Sequence, residues 1–222
     1  MRGDKLLIEP CHRQAAEIIQ REIDRRYVGA HRPPLVVSIG GESGSGKSEL
    51  GQALANRYWN DGKKVVLFQQ DDYFLLPPRT NDQKRRRNVD WVGMGEVRLD
   101  LLDAHLDALR SGETELTKPL VDYDANEITQ ETIHVADAEI VIVEGTYTTA
   151  LENVDCRVFI DRTYRQTVAT RRRRARDDQD AFLEQVLEIE HQVISAQMER
   201  ADIVVTSDYR VVAAPPLNHI EG

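Results

Sequence analysis

Leu35-Val36-Val37-Ser38-Ile39-Gly40-Gly41-Glu42-Ser43-Gly44-Ser45-Gly46-Lys47-Ser48 is the stretch that decides the fold. Its first half is a short β-branched run, the pattern of a buried strand. Its second half satisfies G-x-x-x-x-G-K-[ST] and leads into a helix expected from about Lys47 to Asn60, closed by Asp61-Gly62. Glycines at these positions let the backbone curl until successive N–H groups converge on one point, and the following helix adds its positive end. That is a cradle for phosphate, and its strand-before, helix-after setting separates it from a surface loop matching by chance. Gly41, Glu42, Ser43, Gly44, Ser45, Gly46, Lys47, Ser48 and Glu49 are therefore candidate ATP-binding residues. Lys47 is expected to neutralise the β- and γ-phosphates, and the Ser48 hydroxyl to ligate Mg²⁺.

Outward from this loop, strands and helices alternate. An amphipathic helix is expected over 9–27, with Ala15, Ala16, Ile18, Ile19 and Ile23 at helical spacing, ended by Arg32-Pro33-Pro34. Lys64–Gln69 reads as a strand, 96–110 as a helix, and 116–135 as short strands around Asp124-Ala125-Asn126. Glu139–Val143, Cys156–Ile160 and Ile203–Thr206 read as further strands, with a charged helical segment over 163–198. Such alternation implies an α/β protein with a mainly parallel sheet covered on both faces. The expected division is an N-terminal helical extension packed on the core (1–34), one domain (35–210) and a C-terminal tail (211–222). The N-terminal helix could cap the sheet or mediate assembly, so a homo-oligomer stays open.

Composition narrows the function classes. The chain has 222 residues, 41% hydrophobic and 30% charged, with formal net charge −9. That acidity argues against nucleic acid as a partner. Basic residues nevertheless cluster at Lys84-Arg85-Arg86-Arg87 and Arg171-Arg172-Arg173-Arg174, which suits a polyphosphate ligand; a solvated helix face is the alternative for each run. No apolar run approaches the roughly 18 residues of a membrane span, and the N-terminus lacks a secretory layout. Cys11 and Cys156 suggest reduced thiols in the cytoplasm. None of the six histidines has metal-ligand or triad spacing, so these are read as surface or packing residues.

Two further strand ends carry acids. Ile140-Val141-Ile142-Val143 runs into Glu144-Gly145, which puts Glu144 at the carboxyl edge of the sheet as a second Mg²⁺ ligand. Val65–Gln69 runs through Gln70 into Asp71-Asp72-Tyr73-Phe74, and one of these carboxylates could take the proton of an attacking hydroxyl. On an extended chain the two acids point to opposite sides. Spacing does not choose between them.

The P-loop, the QDDYF segment at 70–74, Asn88-Val89-Asp90, Lys118-Pro119 with Asp122-Tyr123, VIVEG at 141–145, Arg172–Asp177 and Ala201–Val205 occur in one order along the chain. Together they resemble the uridine kinase and phosphoribulokinase group of P-loop kinases. The resemblance implies a parallel five-stranded P-loop NTPase sheet flanked by helices, with a helical lid over about 163–198. It implies ATP as phosphoryl donor, Mg²⁺, and a small hydroxylated metabolite as acceptor. It further implies Asp71 as catalytic base alongside Lys47 and Glu144, and Tyr73, Asp90, Asp122, Tyr123 and Asn126 on the acceptor side. Arg172 and Arg176 are implied as lid residues on the ATP phosphates, with Arg171 and Arg174 left to solvent. The nucleoside-reading histidine and arginine of uridine kinases are replaced by Asn126 and Ile128. The acceptor stays open between a nucleoside such as uridine or cytidine and another hydroxylated metabolite such as a sugar, a sugar acid or a pantothenate-like compound. An NTP-binding regulatory protein is the alternative of another class.

Overall fold

The computed structural model describes residues 6–27, 34–174 and 180–213. Its centre is β1 (Leu35–Gly41), in which every residue is buried. With β2 (Val65–Gln69), β5 (Ile140–Glu144), β6 (Cys156–Ile160), β7 (Ile203–Val205) and β8 (Val211–Ala213) it forms a six-stranded sheet ordered β2-β5-β1-β6-β7-β8. The first five of these strands are parallel. The sixth, β8, pairs antiparallel with β7. The five parallel strands are those expected. β8 occupies positions 211–213, which had been assigned to a tail, because the turn 206–210 folds the chain back onto β7. A separate antiparallel hairpin pairs β3 (Glu115–Asp122) with β4 (Glu127–His134).

The period of two along the strands sorts the core into two layers. Leu35, Val37 and Ile39 of β1, with Ile140 and Ile142 of β5 and Val158 and Ile160 of β6, face α1 (Pro10–Tyr27) and α2 (Lys47–Asn60). Val36, Val141, Val143 and Phe159 face the other way, onto Leu102, Leu106 and Leu109 of α4 (Leu99–Arg110) and Ile194 of α6 (Ala181–Ser195). On α1 the buried stripe is His12, Ala15, Ala16, Ile19, Gln20 and Ile23, whereas Ile18 is exposed.

Two segments depart from the sequence expectation. Residues 78–87 form α3 (Pro78–Arg87), whose only buried residue is Asn81. Its start is marked by Pro78 in the first turn, where a missing N–H costs nothing. The segment expected to be helical over 163–198 opens with a turn at 164–167, and its described residues go on as α5 (Val168–Arg174), α6 and a 3-10 turn, Ala196–Arg200. Asp180 caps α6 by accepting from the Leu183 N–H at 2.9 Å. No described helix is long and apolar enough to cross a membrane.

Candidate active site

In-register parallel pairing brings three strand ends level: Ile39 of β1 is opposite Glu144 of β5, and Glu144 is opposite Gln69 of β2. The loops that follow therefore emerge together at one edge of the sheet. The loop after β1 wraps closely: Ser45 N–H donates to the Glu42 carbonyl at 3.1 Å, and Lys47 Nζ donates to the same oxygen at 2.9 Å. The Glu42 side chain turns away from the loop's interior. Its Oε2 accepts from the Tyr164 N–H at 2.6 Å and its Oε1 lies 2.7 Å from His191 Nδ1 of α6. Glu42 thus contributes backbone to the cradle and ties it to the lid with its carboxylate. Ser48 and Glu49 stand in the first turn of α2, with Glu49 buried. Glu144 is also buried, and a Cβ added to Gly51 of α2 would lie 3.5 Å from its side chain.

The turn after β2 separates the two adjacent acids. Gln70–Tyr73 is a 3-10 turn, in which successive side chains point about 120° apart rather than to opposite sides. Gln70 is locked backward: its Oε1 accepts from the Tyr147 N–H at 2.6 Å, and its side chain fills the space that a Cβ on Gly145 would need. Asp72 is locked sideways and is 2% exposed. It accepts from Lys118 Nζ at 2.7 Å and from the Val121 N–H at 3.0 Å. Asp71, between them, lines an open cavity together with Ser43 of the phosphate loop, Thr146 and Tyr123. Tyr73 does not reach this cavity. It is fully buried against Phe68 and its hydroxyl meets His105 Nδ1 at 2.9 Å, which corrects its expected place on the acceptor.

The cavity is walled on one side by Phe74, Leu76 and Val121, and on the lid side by Phe182, Leu183, Val186 and Leu187 of α6. Its charged members are Asp71, Asp82, Arg85 and Glu190. Arg85 is fully engaged: it donates to Glu96 at 2.6 and 2.9 Å and to Glu190 at 3.0 Å. Glu96, with no exposed surface, also accepts from Asn81 Nδ2 at 2.5 Å and from the Gly93 N–H at 2.8 Å. Burial pushes the Glu190 carboxyl above its ordinary value, opposed by the Arg85 guanidinium beside it. The basic run 84–87 divides: Arg85 is held in this network, Lys84 sits 3.1 Å from the Trp91 ring centroid, and the exposed Arg86 pairs with Asp82 and Asp180, while Arg87 is exposed to solvent.

Other sequence candidates lie apart from the cavity. Asp90 is exposed on a short 3-10 turn, its N–H bonded to Asn88. Asp122 closes the hairpin turn by accepting from the Ala125 N–H at 2.8 Å. Asn126, in the left-handed region at φ 59°, fastens the hairpin tip to α3 through the Arg79 N–H and Thr80 hydroxyl and is not among the residues lining the cavity. Of the hairpin candidates Tyr123 alone lines the cavity.

The lid also needs a correction. Arg171, expected in solvent, is 5% exposed and lies against Gly44. Its guanidinium bonds the Tyr164 carbonyl, the Thr167 hydroxyl at 2.7 Å and Glu184 at 3.3 Å. One turn after Thr167, to whose carbonyl its N–H donates at 2.9 Å, Arg171 shares with Thr167 the face packed against Gly44, while Arg172 is exposed. Arg176 and the Arg174 side chain lie outside the described residues. Thr167 adds a second tie, donating from its hydroxyl to the Ser43 carbonyl at 2.8 Å. Arg85, Glu96, Thr167, Arg171 and Glu190 were missed as parts of the site. The signal for Arg85 and Arg171 was the basic runs; for the rest there was none.

A mainly parallel sheet with this loop, a strand-end acid and a helical lid at one edge is the architecture of a P-loop nucleotide-binding kinase. A family model described as Phosphoribulokinase / Uridine kinase family matches residues 36–212. The chain is 30% identical over 188 residues to the bifunctional alpha-galactosidase/sucrose kinase AgaSK of Mediterraneibacter gnavus, a match covering 78% of this chain and 20% of that protein. It is 28% identical over 185 residues to a uridine kinase of Leuconostoc citreum (strain KM20), covering 78% of this chain and 87% of the relative. A solved structure described as "a Possible Uridine Kinase" from Bacillus stearothermophilus shares the fold. Its TM-score is 0.62 at 19% identity, over 86% of this chain and 97% of that one. The chain belongs to the phosphoribulokinase/uridine kinase family.

The Arg85 network generates a stability prediction. Glu96→Ala strands a buried amide, a buried N–H and most of the Arg85 pairing, a loss of about 3–5 kcal/mol. At roughly 2–4 °C per kcal/mol for a chain of this size, the melting temperature should fall by about 10 °C in differential scanning calorimetry. A fall under about 2 °C would show that the network does not hold α3.

Proposed function

We propose that the protein transfers the γ-phosphoryl group of ATP to a hydroxyl of a small neutral acceptor, with Asp71 as general base. The observation that carries this reading is that Asp71 and the phosphate-loop residue Ser43 line one cavity, whereas Gln70 turns to the Tyr147 N–H and Asp72 to Lys118. A carboxylate so placed can accept the proton of an acceptor hydroxyl as that oxygen attacks the phosphorus. Lys47 and the loop amides hold the β- and γ-phosphates and meet the charge that develops on them. Ser48 and Glu144 offer hard oxygen donors at the start of α2 and the end of β5, a set that fits Mg²⁺. When bound, the ion neutralises β/γ-phosphate charge. Arg172 and Arg176 are assigned to the phosphates in the closed lid, and the apolar face of α6 then excludes water from the cavity. ATP as donor places the work of the protein in the cytoplasm.

The charge of the cavity supports a neutral acceptor. Asp71, Asp82 and Glu190 face it, and the one cation among its described lining residues, Arg85, is already shared by two carboxylates. A carboxylate or phosphate on the acceptor would meet like charge there, and the one described guanidinium of the lining is already paired. The apolar walls and the Tyr123 ring suit a nucleoside. A sugar is the second reading, favoured by the commitment of Asn126 to α3 and by the sucrose kinase named among the relatives.

An ADP-release assay with Mg-ATP tests the acceptor class. Nucleosides or neutral sugars should turn over, and sugar acids and pantothenate should not; preferred turnover of an anionic acceptor would contradict the charge argument. Nucleotide binding with no turnover on any acceptor would favour a regulatory NTP-binding protein. Asp71→Asn should lower kcat by roughly 10²–10⁴-fold with ATP affinity retained. Asp72→Asn should chiefly lower thermal stability. Full activity in Asp71→Asn would remove the base assignment.

A further inference from the structure

The N-terminal helix reaches the phosphate loop through a directed chain of hydrogen bonds. The Glu9 N–H donates to His12 Nδ1 at 3.0 Å. That bond leaves the proton of the neutral ring on Nε2, which lies 3.0 Å from the Tyr209 hydroxyl oxygen. The Tyr209 hydroxyl in turn donates to the Ser45 carbonyl at 2.7 Å. Arg162 stands beside the Tyr209 ring, 5.8 Å from its centroid. The two rings meet edge-on, with centroids 4.8 Å apart. Burial pushes the Tyr209 phenol above its ordinary value, so it keeps the proton it donates.

We propose that Tyr209, oriented by His12, is a positioning residue of the nucleotide site: it sets the direction of the Ser45–Gly46 peptide. In a trans peptide the C=O and the following N–H point to opposite sides. Drawing the Ser45 carbonyl toward Tyr209 therefore turns the Gly46 N–H away from it, and the cradle depends on such N–H groups converging. Two independent features mark the contact as built. Gly46 has φ 101°, and a Cβ there would collide with the Tyr209 hydroxyl and come within 3.1 Å of His12 Nε2. Tyr209 itself holds φ 61°, a left-handed conformation that costs a non-glycine residue about 1–3 kcal/mol. The turn between β7 and β8 maintains it: the Tyr209 N–H donates to the Thr206 carbonyl at 2.8 Å and the Thr206 N–H to the Arg210 carbonyl at 2.8 Å. Strain of this kind persists where the position of the side chain matters.

The proposal rests on the loop being the nucleotide site, and the experiment separates the two. Isothermal titration of ADP and steady-state kinetics are run on the full chain and on Tyr209→Phe, His12→Ala and His12→Gln. Loss of one such hydrogen bond should weaken ADP binding and raise KM for ATP by about fivefold to tenfold in Tyr209→Phe, with KM for the acceptor unchanged. His12→Ala should shift the same two quantities in the same direction. His12→Gln, whose amide can still donate to Tyr209, should recover most of the loss. Wild-type ADP affinity in Tyr209→Phe would overturn the proposal while leaving the nucleotide site intact. So would equal rises in both KM values accompanied by a lower melting temperature, the mark of a merely structural role. Wild-type protein that binds no ADP would remove the nucleotide-site reading and the proposal with it.

Discussion

In-register parallel pairing of β2, β5 and β1 is the constraint on which the rest of this molecule depends. Because Gln69, Glu144 and Ile39 stand level across the sheet, the phosphate loop, the turn carrying Asp71 and the acid Glu144 leave the sheet at one edge. A slip of one residue would turn every side chain of β5 to the opposite layer, exchanging Ile140 and Ile142 for Val141 and Val143. The two apolar layers thus protect the alignment, and the alignment assembles the chemistry.

Around that edge, buried polar bonds decide which of several similar side chains faces the cavity. Asp72 is withdrawn by Lys118 and the Val121 N–H, and Gln70 by the Tyr147 N–H, so Asp71 is left toward the cavity. Adjacent residues of α6 connect the two halves of the site. Glu190 meets Arg85 of the cavity wall, and His191 meets Glu42 of the phosphate loop. A displacement of α6 therefore acts on the cavity and the phosphate loop at once. At the opposite side of the loop, α1 and the β7–β8 turn press His12 and Tyr209 against Ser45 and Gly46.

What the sequence revealed follows from where each signal lies. Continuous β-branched runs marked β1 and β5, and local spacing alone marked the phosphate loop and its helix. Helix α3 was invisible because it has no apolar stripe; charge pairs and Asn81 hold it in place. Asp71 and Asp72 could not be told apart because the difference is made by Lys118 and Val121, contributed from a distant hairpin. Arg171 was assigned to solvent because nothing local shows which face of a basic run packs; α5 sets it against Gly44. Tyr73 and Asn126 were placed on the acceptor by resemblance, but His105 and the first turn of α3 are what they contact. The Arg85, Glu96 and Glu190 cluster joins residues 11 and 105 positions apart, a separation that no local pattern encodes.

Phosphorus-31 NMR of wild-type protein with Mg-ATP and a neutral acceptor observes the central claim without an intermediary. The account predicts that the γ-phosphate resonance is replaced one-for-one by that of a phosphomonoester on the acceptor. Conversion of the γ-phosphate to inorganic phosphate alone, with the acceptor unchanged, would contradict it.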